Sequence, residues 1–170
     1  MKKIFIIIIF FLNFNYSYAE NKIAYIDINH ILNKSLVGLS ISDHVKKIQE
    51  IKFNEFQLIH NQLLDKEKNI IKEKNIIEKS EFEKKIIALN QEVNIYQVKK
   101  KKFNEEIDKK KIVYTKTVLD TLNPIISKYV EENSISIVFP KKNIVVAKTN
   151  LDITKPILNL LNNQLKKIDF

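Results

Sequence analysis

The side chains able to do chemistry are few, and their spacing argues against catalysis. His30, His44 and His60 stand apart, with no His-x-x-x-His pairing, and the chain has no cysteine. A metal centre or a disulfide framework therefore lacks its parts. His44 and His60 fall on a polar, helix-patterned stretch and read as surface residues. Asp27 and Asp152 are the carboxylates that could be imagined working as an acid–base pair. Asp27, however, sits in a strand pattern and Asp152 at a helix start, so structural roles fit both. A single glycine, Gly38, leaves no phosphate-cradling loop. No nucleophile stands with a base. The expectation is a protein that is not an enzyme and takes no cofactor or metal.

What remains is charge. The stretch KKKKFNEEIDKKK, residues 99–111, holds Lys99, Lys100, Lys101, Lys102, Lys109, Lys110 and Lys111. Such a run can bind nucleic acid, bind an anionic membrane, or form the wet side of a helix. The start of the chain narrows the choice. Lys2 and Lys3 precede the apolar run Ile4–Leu12, and Ser17-Tyr18-Ala19 offers small residues at the −3 and −1 positions of a cleavage site. These are the parts of a secretory signal peptide, expected to be cleaved near Ala19; the alternative is an uncleaved anchor helix. Export makes nucleic acid a poor target, and anionic lipid or unfolded chains remain. Without residues 1–19 the chain carries 27 lysines and 20 acids, a net of +7, with no arginine. Lacking cysteine, an exported domain must be stable by packing alone.

The elements that position these charges follow from periodicity. In KIAYIDINHIL, Ile23, Tyr25 and Asp27 alternate with Ala24, Ile26 and Ile28, a short buried strand. Gly38 falls in the loop or short helix after it. Residues 42–133 contain no glycine and one proline, and their apolar positions recur at alternating steps of four and three. Phe56, Ile59, Leu63, Ile70 and Ile77 make one series if Lys66 and Glu73 are counted in register. Phe82, Ile86, Leu89, Val93, Tyr96, Phe103, Ile107 and Tyr114 make another with Lys100 and Lys110. Two such series predict helix-on-helix packing. Ser80 followed by Glu83 reads as a capping box and places the tip of an antiparallel hairpin near residues 75–80; one uninterrupted helix is the alternative. Charged residues in the seam predict a loose arm, partly open to water. Pro124 is expected to kink or restart the second helix. Ile135–Phe139 and Ile144–Ala147, separated by Pro140-Lys141-Lys142-Asn143, read as a β-hairpin. Asp152 or Thr154 then caps a last helix with Pro156 in its first turn.

A strand, a long charged helical hairpin, a β-hairpin and a capped last helix behind a signal peptide resemble the Skp/OmpH family of periplasmic chaperones. KIAYIDINHIL, LNPIISKY and ISIVFPKKNIVVAKTNLDITKPILNLLN carry the resemblance, with Leu151-Asp152-Ile153-Thr154 as its best local marker. The resemblance implies an α+β fold, with a small β-rich body bearing a long antiparallel helical hairpin, or tentacle. In this layout residues 20–41 begin the body, 42–133 form the arm and 134–170 complete the body. It also implies a homotrimer whose arms surround a cavity. In that cavity an ATP-independent holdase would keep unfolded outer-membrane β-barrel proteins from aggregating in the periplasm. The family's lipopolysaccharide site uses arginines as well as lysine; with no arginine here, that site is not carried over.

On this reading Phe53, Phe56, Ile59, Phe82, Tyr96 and Phe103 are the expected client contacts, though some must pack the hairpin itself. Ile23, Tyr25, Ile137, Phe139, Val145 and Ala147 are the expected subunit contacts. The lysines of 99–111 form a basic patch able to attract acidic clients, anionic lipid or lipopolysaccharide. The alternatives are a structural coiled-coil spacer of the envelope and a lysine-rich binder of anionic lipid.

Overall fold

A computed structural model describes residues 22–170, so the signal peptide read from residues 1–19 lies outside the described residues. Strand β1 (Lys22–Ile26) leads into helix α1 (Ile28–Lys34). The carboxylate of Asp27 accepts from the His30 amide at 2.9 Å. This makes Asp27 the N-cap of α1, where its oxygen satisfies an otherwise orphan donor. Ser35, fully buried, repeats the device for helix α2 (Leu36–Glu73), accepting from the Gly38 amide at 3.1 Å. Gly38 therefore lies in the first turn of a 38-residue helix. A Cβ on it would stand 1.8 Å from the Leu32 carbonyl oxygen. That close approach of two backbones is why the chain's single glycine is here.

Residues 74–78 form the turn at the arm's tip, and helix α3 (Lys79–Glu132) runs back for 54 residues. The proposed capping box is not formed. Glu78 is the N-cap, in an extended conformation with no side-chain bond, and Ser80 is already inside the helix. Pro124 does not restart the helix, which continues through it to Glu132. Proline forfeits one backbone bond there, but Val118, Leu122 and Ile125 around it are buried in the body, and their packing holds the turn against the local penalty. The helix ends at Asn133, whose side chain donates to the Tyr129 carbonyl at 2.8 Å. Ser134, at φ 54°, then turns the chain into strand β2 (Ile135–Pro140).

β2 corrects the expected β-hairpin. It pairs in parallel with β1, with Ile23 opposite Ile137, Tyr25 opposite Phe139 and Ile26 opposite Pro140. A parallel pair needs a crossover connection, and the whole arm is that crossover. After Pro140 a single 3-10 turn, Lys141–Asn143, carries the chain off, and residues 144–147 form no strand. The β-branched Ile144, Val145 and Val146 favour strand, but the segment pairs with neither strand of the two-stranded sheet.

Helix α4 (Thr154–Gln164) closes the body. The Leu151–Thr154 segment stitches it to β1. The Ile153 amide donates to the Tyr25 carbonyl at 3.0 Å. The Asp27 amide donates to Thr154 Oγ1 at 2.8 Å, and Asp152 accepts from the Thr154 amide at 2.9 Å. Burial opposes ionisation of Asp152, but hydrogen bonds from Thr154 and the nearby Lys141 outweigh it and lower its pKa. Asn162 on α4 accepts from the Leu36 amide at 2.7 Å, fixing the root of α2. Ala24, Ile26, Ile31, Val37, Val118, Leu122, Ile125, Ile153, Ile157 and Leu161 form the core. β1, α1, α2, α3 and α4 thus share one small centre.

Candidate functional site

The arm is two helices and little else. At about 1.5 Å per residue, α2 alone extends for roughly 57 Å. Ten of the apolar heptad positions read from the sequence fall in the packed clusters of the arm; Ile77, Phe82 and Ile86, near the tip, do not. Phe56 and Leu63 pack with Leu89 and Tyr96, flanked by Ile59, Ile70, Val93 and Phe103. Nearer the body Val45 packs with Ile107 and Tyr114. Phe56 meets Tyr96 and Phe103 edge-to-face, each with centroids 5.9 Å apart, the geometry that ring quadrupoles favour.

The charged seam positions of the distal arm are not loose. Lys66 of α2 pairs with Glu92 of α3 at 2.5 Å, and Glu73 pairs with Lys85 at 2.5 Å. The hydrogen bond that Lys85 donates to Glu73 raises the Lys85 pKa against the cost of desolvation, so the ammonium form is favoured. These pairs bridge the two helices where the apolar seam is interrupted. Lys100 and Lys110 differ: both point to solvent.

All seven lysines of residues 99–111 are exposed. Lys101 lies 4.0 Å from Glu105 and Lys111 lies 3.7 Å from Asp108. Among the described residues, Lys99, Lys100, Lys102, Lys109 and Lys110 form no ion pair. With Lys116 and three acids the stretch to residue 116 carries a local +5. This is a cationic band over the middle of α3.

Of the expected client contacts, Phe56 and Tyr96 are buried in the seam, and Ile59, Phe82 and Phe103 are half-buried. Phe53 is 60% exposed. It begins a stripe that lies outside the seam. Phe53, Gln57, His60, Leu64, Glu67 and Ile71 follow the same steps of four and three, displaced from the seam to one flank of α2. Phe53, Leu64 and Ile71 are exposed on it, and His60 stacks beside Tyr96 at 6.3 Å. On α3, Ile87, Ile95 and Val98 are also exposed. The signal was in the sequence as a second, weaker heptad phase, diluted by polar residues.

The expected subunit contacts fall on the face of the strand pair that turns away from the core. Ala24, Ile26 and Val138 point inward, whereas Ile23, Ile137 and Phe139 are exposed together, as period-two alternation requires. Tyr25 shares that face but is buried. Val145 and its neighbour Val146 are 99% and 87% exposed, and Ala147 is exposed too.

Among the described residues no cluster of three His, Cys, Asp or Glu side chains could hold a metal, and no helix is long and apolar enough to cross a membrane. Asp27 and Asp152 both serve helix starts. His44, expected at the surface, is half-buried against Phe170, while His30 and His60 are exposed.

The family model described as "Outer membrane protein (OmpH-like)" matches residues 22–161. A solved structure described as a candidate outer membrane chaperone (OmpH-like) from Caulobacter crescentus CB15 superposes with a TM-score of 0.77. It is 20% identical in sequence, and the match covers 87% of this chain and 88% of that one. No curated protein matches the chain.

Proposed function

The chain belongs to the OmpH-like outer membrane protein family, and on that premise we propose that it is an ATP-independent periplasmic holdase for unfolded outer-membrane β-barrel proteins. The observation that carries this reading is the flank stripe of the arm. Large apolar side chains stand exposed on a helix pair whose own seam is already filled. A spacer built only to be stiff has no use for Phe53, Leu64 and Ile71 in water. A chaperone that releases clients without nucleotide needs many weak apolar contacts, each offering only part of the ~1.5–3 kcal/mol of a fully buried side chain. Phe56 and Tyr96 would then act indirectly, by keeping the hairpin straight, while Phe53 touches the client and Ile59, Phe82 and Phe103 border the contact.

Assembly is part of the same proposal. The exposed Ile23, Ile137 and Phe139, with the unpaired segment at Val145–Ala147, offer apolar surface and strand-forming backbone to further copies of the chain. Three copies would place three arms around one cavity. The cationic band of residues 99–111 would draw acidic clients toward that cavity, and it favours anionic lipid or lipopolysaccharide as a secondary contact. Lysines meet such phosphates as point charges, without the bidentate grip of arginine.

The test is aggregation of a urea-diluted outer-membrane β-barrel protein, followed by light scattering, with residues 20–170 added in increasing ratio. Suppression that saturates near one trimer per client without nucleotide is expected. The triple variant Phe53→Ser, Leu64→Ser, Ile71→Ser should suppress several-fold less while its unfolding midpoint stays unchanged. Full aggregation at several-fold excess of folded protein would sink the holdase and leave a structural coiled coil.

A further inference from the structure

Residues 165–170 lie beyond the stretch that matches the family model, which ends at residue 161. They leave α4 and return across the root of the arm. Leu165 and Ile168 are half-buried, with Lys166, Lys167 and Asp169 exposed around them. Ile168 packs against the body core and also against the cluster of Val45, Ile107 and Tyr114 at the arm's root. Phe170 lies flat on His44 of α2, with ring centroids 3.8 Å apart and planes 6° from parallel. It also meets Tyr114 of α3 edge-on at 5.5 Å. His44 and Tyr114 themselves stand 6.1 Å apart. One side chain thus touches both helices of the arm from a segment anchored in the body.

We propose that residues 165–170 are a releasable clasp that fixes the arm's root to the body, so that swinging or splaying the arm there requires Phe170 to leave His44 and Tyr114. The contact is built to be reversible. Phe170 is still 52% exposed. Among the described residues, no ion pair holds Lys166, Lys167 or Asp169. The grip rests on three apolar side chains in six positions. The clasp does not depend on what the arm binds, because it acts on the angle of the arm rather than on its client face.

Hydrogen exchange on the whole protein tests this. In Phe170→Ala, amides at 41–48 and 107–115 should exchange about tenfold faster, because two aromatic contacts no longer oppose local opening. Amides at 118–125 in the body and 56–63 in the distal seam should keep their wild-type rates. Phe170→Tyr, which preserves the stack, should exchange as wild type. His44→Ala should reproduce the pattern, and the double variant should go no faster than either single one. Unchanged exchange at the arm's root in Phe170→Ala would overturn the clasp. So would acceleration spread evenly through the body, or additive effects in the double variant.

Discussion

The body and the arm are packed by different rules. In the body, Ile31, Val37, Leu122, Ile157 and Leu161 are at 0% exposure, drawn from four helices that close on one point. In the distal arm, the best-buried seam residues, Phe56, Leu63, Leu89 and Tyr96, retain 7–9%. Two helices alone cannot cover a side chain from every direction. The body therefore concentrates stability, and the arm spreads a thin seam over a long lever. Local opening free energy should fall from body to tip, which suits a holder whose grip must adapt.

The largest effect should separate the two regions most sharply. Leu122→Ala opens a cavity where nothing can collapse inward and should cost about 3–5 kcal/mol. Leu89→Ala, beside a water-facing seam, should cost about 2 kcal/mol and loosen only the distal arm. Urea unfolding gives the totals and hydrogen exchange gives the extent. Equal costs would mean that the arm is as rigid as the body. Next comes the joint between them: Gly38→Ala drives a methyl into the Leu32 carbonyl and should cost about 1–3 kcal/mol, read as a lower urea midpoint.

A smaller effect concerns the body's stitch. Asp152 is held ionised in the fold by Thr154 and Lys141. Its folded pKa lies below the ordinary carboxylate value. The stabilisation is therefore present above that value and is lost as pH falls through the lowered one. Asp152→Asn should flatten the acid limb of the stability curve and leave the slope above pH 5 unchanged. Thr154→Val should cost about 1–2 kcal/mol, since the Asp27 amide then loses its acceptor.

The two regions were also unequally legible. The arm is local chemistry repeated, so its seam can be read from steps of four and three, and of the charged interruptions Lys66 and Glu73 bridge the helices whereas Lys100 and Lys110 face solvent. The strand at residues 22–26 declares itself by composition. The body's closure is non-local. That β2 takes β1 as its neighbour, leaving residues 144–147 without a partner in one chain, depends on an arm's length of chain returning to its start. Ser80 and Glu83 had the right types and spacing, but the turn ends two residues earlier and uses Glu78. Pro124 broke a local rule that packing around Leu122 and Ile125 overrode. The approach of Gly38 to Leu32, and the fold-back of Phe170 onto His44, are meetings that no periodicity announces. The client stripe was half legible: Phe53 stood out, whereas Leu64 and Ile71 were hidden by the stronger phase beside them.

The smallest expected effect bears on how the arm holds its register where the apolar seam lapses. Lys66 and Glu92 pair across the helices with both side chains about half exposed. Such a pair contributes roughly 0.2–1 kcal/mol, too little to decide whether the hairpin forms. It can decide how the helices align, because a slip of one residue would separate the charges while leaving much of the apolar contact. A double-mutant cycle with Lys66→Met and Glu92→Gln should give a coupling in that range, shrinking as salt rises. Exchanging the charges, as Lys66→Glu with Glu92→Lys, should restore it, whereas either reversal alone sets like charges together at the seam. If the single reversals leave exchange in the distal arm unchanged, the pair is an ornament of a seam that registers itself through Phe56, Leu63, Leu89 and Tyr96. If they loosen the tip while the arm's root stays protected, the charges that interrupt the heptads keep the thinnest part of the arm aligned.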